Sequence, residues 1–198
     1  MALLVSTRHW RNGGPSDLPG VLFAALALLL VGGLNLPAQP VATKEYKIKA
    51  VFLFNFSQFV TWPTNAFPET QTPLVIGVLG EDPFGTYLDE TVRGEEVDKH
   101  PLVIQHYRRA EEIKTCHILF ISQSETSRLD QILPSLKGRS ILTVSDAEGF
   151  AQQGGMIRFV TEKGRIRLRI NPEAAKAASL TISSKLLRPA EIVAPGKD

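Results

Sequence analysis

One cysteine in 198 residues removes two kinds of chemistry at once. Cys116 has no partner for an intramolecular disulfide and none for a thiolate metal cage. In an oxidising compartment such a thiol is either buried and inert or paired between chains, and the apolar stretch 117–121 beside it favours burial. Neither sign of charge dominates: 22 Lys and Arg face 20 Asp and Glu, a formal +2, so the basic footprint of a nucleic-acid binder is missing. The apolar run at 21–31 falls well short of the roughly 20 residues a membrane-spanning helix needs. Repeats and low-complexity tracts are absent too.

Catalytic and cofactor signatures are equally scarce. Cys116 and His117 stand next to each other, but neighbours on a strand point to opposite faces and cannot work as nucleophile and base. His100, His106 and His117 have no metal-ligand spacing. Gly80-Glu81-Asp82-Pro83-Phe84-Gly85 sits between a strand and a helix, where phosphate loops occur. It is neither G-x-G-x-x-G nor a Gly-Lys-Ser loop, and its acids would repel a phosphate. No cofactor is expected, and an enzyme lacks its parts.

What is present begins with a leader pattern. Arg8 and Arg11 precede the run at 21–31, which exits through Gly32-Gly33 and Leu36-Pro37-Ala38-Gln39. This is the form of a cleaved secretory signal spanning residues 1–38. The remaining 39–198, roughly 160 residues, make one domain with a sizeable core.

Along that stretch the pattern alternates. Ile48, Val51, Phe52, Asn55, Phe59 and Trp62 recur at three- and four-residue spacing, so 43–62 reads as a strongly aromatic helix ending before Pro63. Residues 74–79 are apolar on both faces, as in a central covered strand. A short helix at 86–92, a strand at 102–107, a helical turn at 110–114, a strand at 116–122, a helix from 124 or 125 to 137 and a strand at 140–144 follow. Strands and helices at this spacing predict a βαβ sheet. Residues 156–170 then form an antiparallel hairpin turning at Glu162-Lys163-Gly164. Asn171 caps a helix with Pro172 at its first position, and Ser183 caps a last short segment. The expected fold class is α/β: a three-layer Rossmann-like sandwich, mainly parallel, with a C-terminal antiparallel hairpin.

Two sets of residues are candidate sites. Arg165, Arg167 and Arg169 alternate with Ile166, Leu168 and Ile170, so one strand face is lined with guanidinium groups. They form either an anionic docking stripe or a solvated face that protects an edge. With Phe52, Phe56 and Phe59 of the first helix and with Lys185 and Arg188, they make up a candidate apolar and basic partner surface. The second set is Glu81, Asp82, Ser145 and Asp146 at strand carboxyl ends, where open α/β sheets hold ligands. For Asp146 a plain turn cap is the competing reading.

Three blocks, in order, resemble the YfiR family of bacterial periplasmic proteins. The helix Lys47-Ile48-Lys49-Ala50-Val51-Phe52-Leu53-Phe54-Asn55-Phe56-Ser57-Gln58-Phe59-Val60-Thr61-Trp62-Pro63 resembles that family's first helix. Cys116-His117-Ile118-Leu119-Phe120-Ile121-Ser122 is similar to its central strand, and Leu142-Thr143-Val144-Ser145-Asp146 with Gly149-Phe150 to the next. The hairpin and Ile182-Ser183-Ser184-Lys185-Leu186-Leu187-Arg188 complete the pattern over about 46–193. The resemblance implies a periplasmic regulator, often a homodimer, that binds the periplasmic sensor region of an inner-membrane diguanylate cyclase, represses it and so controls cyclic-di-GMP and biofilm formation. The alternative is a periplasmic small-ligand receptor coupled to another membrane protein such as a histidine kinase. Characterised members carry redox-responsive disulfides, which a solitary Cys116 cannot reproduce. Pro189 stands where the family continues a helix.

Overall fold

The computed structural model describes residues 43–194. The expected leader, with its apolar run at 21–31 and its exit near Ala38, lies outside them. Five helices and ten strands follow in order: α1 (Lys44–Phe59), β1 (Val60–Thr61), β2 (Leu74–Leu79), α2 (Thr86–Val92), β3 (Glu96–Val97), β4 (His100–Tyr107), β5 (Ile118–Ile121), α3 (Leu129–Ser135), β6 (Leu142–Ser145), β7 (Ile157–Glu162), β8 (Arg165–Ile170), α4 (Pro172–Ala177), β9 (Thr181–Ile182), α5 (Ser184–Leu187) and β10 (Glu191–Ile192). Eight strands form one sheet in the order β10-β8-β7-β6-β5-β2-β4-β3. The run β4-β2-β5-β6-β7 is parallel, and β7 and β8 are the antiparallel hairpin. This is the α/β sandwich expected from the alternation of strands and helices.

Strand periodicity builds the layers. In β5, Ile118 and Phe120 join a large core cluster with Leu53 and Phe56 of α1, whereas Leu119 and Ile121 enter a second cluster with Leu129 and Ile132 of α3. Each face of a two-sided strand thus has its own helical layer. The hairpin turns at Lys163 and Gly164, both with positive φ, 51° and 72°, which matches the right-handed twist of its strands. Asn171 caps α4 by accepting a hydrogen bond from the Ala174 amide, with Pro172 inside the first turn.

Several boundaries differ from expectation. The first helix stops at Phe59 rather than at Trp62, because Val60 and Thr61 pair antiparallel with Ile182 and Thr181. The segment after Ser122 starts as a 3-10 turn, Gln123–Arg128, and only then becomes α3. There the Ser122 hydroxyl accepts from the Ser124 amide and the Thr126 hydroxyl donates to the Gln123 carbonyl, local bonds that compete with the α-helical ladder. The helix before Pro189 ends at Leu187, and the chain then adds β10 parallel to β8.

Candidate functional site

The parallel core places β2 between β4 and β5. The connection from β2 leads to one neighbour and the later chain returns to the other, so the β2/β5 boundary is a topological switch point. Ligands of open α/β sheets bind outside the carboxyl ends of strands at such a point. Here a cleft of about 970 Å³ opens at that edge, lined among others by Tyr46, Glu81, Asp82, Asp89, His106 and Ser122. Gly80, at φ 90°, turns the chain out of β2, and the Glu81 amide donates to Ser124 Oγ at 3.0 Å. Asp82 Oδ1 accepts from the Phe84 amide at 2.8 Å. This seats Phe84 in the core, edge-on to Phe120 and to Tyr46. Asp82 Oδ2 lies 3.3 Å from His106 Nε2. That hydrogen bond raises the His106 pKa above its ordinary value, against the opposing effect of partial burial.

One strand over, a different pair is closed off. Lys49 of α1 is 2% exposed and places Nζ 2.6 Å from Asp146 Oδ2, just beyond β6. Glu45 Oε1 lies 2.6 Å from the same ammonium, and the Tyr46 hydroxyl donates to Asp146 Oδ2 at 2.8 Å. The ammonium also sits 4.3 Å from the Tyr46 ring centroid, a cation–π contact. The Lys49 hydrogen bond holds the Glu45 carboxyl below its usual range, with burial opposing. Burial pushes the Tyr46 phenol up, and its bond to Asp146 pushes it further. Asp146 is therefore neither a plain turn cap nor an open ligand group. It is the counter-charge of a buried lysine, and Lys49, which binds the first helix to the sheet, was not among the expected site residues.

Of the four residues proposed for the ligand edge, Glu81 and Asp82 line the cleft. Ser145 does not: fully buried, it donates to the Ile121 carbonyl at 2.6 Å and accepts from the Ala147 amide at 3.1 Å.

The proposed partner surface separates into parts. Phe56 is 0% exposed and stacks on Phe159, so it belongs to the core and presents nothing to a partner. Phe52 and Phe59 are half-buried and pack against the same cluster. The outward apolar residues of α1 are instead Ile48 and Val51, 41% and 40% exposed. Leu168 and Ile170 of β8 are buried in the cluster that α1 covers, which puts Arg165, Arg167 and Arg169 on the other face of the sheet. Arg167 pairs with Glu162 at 3.2 Å and Arg169 with Glu191 at 2.8 Å, while Arg165 makes no ion pair among the described residues. Helix α1 and the arginine stripe are two surfaces, not one. Lys185 in α5 and Arg188 just after it are exposed.

Cys116 is 7% exposed, and burial pushes its thiol up to about 12. His117 faces away from it: Nδ1 accepts from the Val75 amide at 3.0 Å, and the ring stacks on Phe67. No group of three or more His, Cys, Asp or Glu side chains is arranged to hold a metal ion among the described residues. Nor is any helix among them long and apolar enough to cross a membrane.

A family model described as YfiR/HmsC-like matches residues 46–191. It spans α1 through the start of β10. That family is periplasmic and regulatory rather than catalytic, and acts in diguanylate cyclase signalling with a membrane sensor-region partner. No curated protein matches the chain.

Proposed function

Because the chain belongs to the YfiR/HmsC-like family, we propose that it is a non-enzymatic periplasmic regulator, exported by a signal at residues 1–38 and folded as one domain over 39–198, which binds the sensor region of an inner-membrane diguanylate cyclase and holds that enzyme inactive. The observation that carries the contact is on α1. Among the described residues the large apolar side chains exposed to solvent are Ile48, Val51 and Ile192. The first two stand three apart on one helix, with exposed Lys44 and Lys47 alongside. A small apolar centre with a cationic rim suits a partner whose complementary patch is apolar with acidic margins.

Deleting the gene is expected to raise cellular cyclic-di-GMP, and the wild-type chain to restore the lower level. Ile48→Glu/Val51→Glu is exposed enough to leave the fold intact and is expected not to restore it. Unchanged cyclic-di-GMP in the deletion strain would reject the cyclase as partner and favour a receptor coupled to another membrane protein. Full restoration by the double variant would move the contact to Arg165, Arg167 and Arg169, tested next by charge reversal.

A further inference from the structure

At the amino edge of the sheet, opposite the cleft, an aromatic stack ties down the segment 63–73. Parallel strands begin together there, so His117 just before β5, Val75 in β2 and His100 at the head of β4 lie on neighbouring strands at one edge. The Phe67 ring is sandwiched between the two imidazoles. It stacks on His117 with centroids 4.5 Å apart and planes 2° apart, and on His100 at 4.0 Å and 19°. Trp62 meets Phe67 and His117 edge-on. The segment also hangs on ring nitrogens at two points: His117 Nε2 lies 3.2 Å from the Ala66 carbonyl oxygen, and His100 Nδ1 lies 2.8 Å from that of Thr72.

These bonds fix where the protons are. The Val75 amide can only donate, so His117 Nδ1, 3.0 Å away, is the bare nitrogen and Nε2 the one that donates to Ala66. The ring holds both partners only while it is neutral. A proton on Nδ1 would point at the Val75 N–H, donor against donor, and would place a charge on a residue 2% exposed. His100 differs, because Nδ1 faces a carbonyl and donates to it whether the ring is neutral or charged. The charged groups nearby are His100 itself, Asp98, which lines the hollow beside it, and the exposed Glu69 of the segment. Neither acid forms an ion pair with a ring among the described residues, and Cys116, on the other face of its strand, is held protonated.

We propose that His117 is an acid-operated latch: its protonation releases the segment 63–73, uncovers Trp62 and opens the hollow of about 180 Å³ that Ser57, Val60 and Leu74 line at the end of α1. Burial lowers the His117 pKa below its ordinary 6.5; the bond to Ala66 opposes this, and the charge of His100 adds to it. Closure is therefore complete above 6.5 and is lost as pH falls through the folded pKa. His106 acts on the other side of that value, because its pKa is raised. The family is periplasmic, and the periplasm shares the acidity of the medium through water-filled outer-membrane pores. The latch stands apart from the regulator reading, because it is measured on this chain alone.

The test follows the purified protein by nuclear magnetic resonance from about pH 7.5 down to about pH 4.5. It reads the His117 and His100 ring nitrogens together with hydrogen exchange of the amides in 64–75, corrected for the intrinsic dependence of exchange on pH. His117 is expected to titrate below 6.5. As it does, the segment's amides and that of Val75 should lose at least about tenfold of their protection, while those of β6 keep theirs. His117→Asn, whose side-chain oxygen can take the Val75 bond without titrating, is expected to stay closed across the range. The proposal is overturned if His117 becomes charged with no loss at Val75, if the segment opens while His117 is still neutral, or if neither change occurs in the range. Equal loss of protection in β6 would be global unfolding and would overturn it too, as would a His117→Asn protein that is closed at neutral pH and opens in acid like the wild type. Should that variant not fold, the wild-type titration decides alone.

Discussion

Two acid–base pairs lie along the carboxyl edge of the sheet, and they have opposite characters. Lys49–Asp146 is dry, at 2% and 4% side-chain exposure; His106–Asp82 is wet, at 48% and 23%. In water the attraction between such groups is mostly screened, so the outer pair is free to titrate and exchange partners. Out of water each charge depends on the other, so the inner pair fixes where α1 sits. The same chemistry thus serves as anchor in one place and as adjustable lining in the other, and burial alone decides which.

The largest effect should come from breaking the anchor. Asp146→Leu strands a buried ammonium and is expected to cost about 3–5 kcal/mol by urea unfolding. The loss should fall at the low end, because Glu45 remains within 2.6 Å. Lys49→Met/Asp146→Leu, with both charges gone, should recover most of it. An additive double variant would show that the two groups do not depend on each other.

Tyr46→Phe cuts the link between the closed pair and the cleft. It removes one hydrogen bond to a charged acceptor, worth about 1.5–3 kcal/mol. The same variant should blunt any response of α1 to a ligand, read from hydrogen exchange in that helix.

For the open pair the expected change is below about 1 kcal/mol and depends on pH, since His106 is about half exposed and Asp82 partly exposed to solvent. Asp82 raises the His106 pKa above its unfolded value near 6.5. Its contribution is therefore complete below that value and is lost as pH rises through the folded pKa. Melting curves between pH 5 and pH 8, on the order of three units about that midpoint, should show this slope in the wild type and a flatter one in Asp82→Asn. A slope of equal size in both would assign it to another group.

The smallest expected effect is none. Cys116→Ser should leave repression of the partner equal in oxidising and reducing buffer, because the thiol is buried and held protonated.

Much of this architecture was legible in the residues. An apolar run on both faces placed the central strand, a three-to-four period placed α1, a period of two placed the hairpin, the turn at Gly80–Gly85 led into α2, and Asn171-Pro172 marked the start of α4. The turn between β3 and β4 was not, because Asp98 and Lys99 adopt positive φ, 51° and 68°, with no glycine to signal it. Two-residue strands such as β1 and β9 carry no period at all; only their tertiary pairing makes them strands. At the site, Glu81 and Asp82 could be placed because a strand end and a turn are local features. The role of Asp146 could not, since its partner lies 97 positions away. Half the clue was visible nonetheless: Lys49 shares a helical stripe with Leu53 and Phe56, and a lysine on an apolar stripe implies a distant counter-charge.

That distance also orders events in time. The bonds that seat α1 join Tyr46 and Lys49 to Asp146, and Glu45 to Thr161, across 100, 97 and 116 positions. Such closures are slow to form. Helix α1 is therefore among the last elements to be locked, although it is the first of those described to be made, and a chain halted before Asp146 holds its central lysine with Glu45 as its one acid. Completion of the hairpin, rather than emergence of the helix, is the moment at which the domain closes.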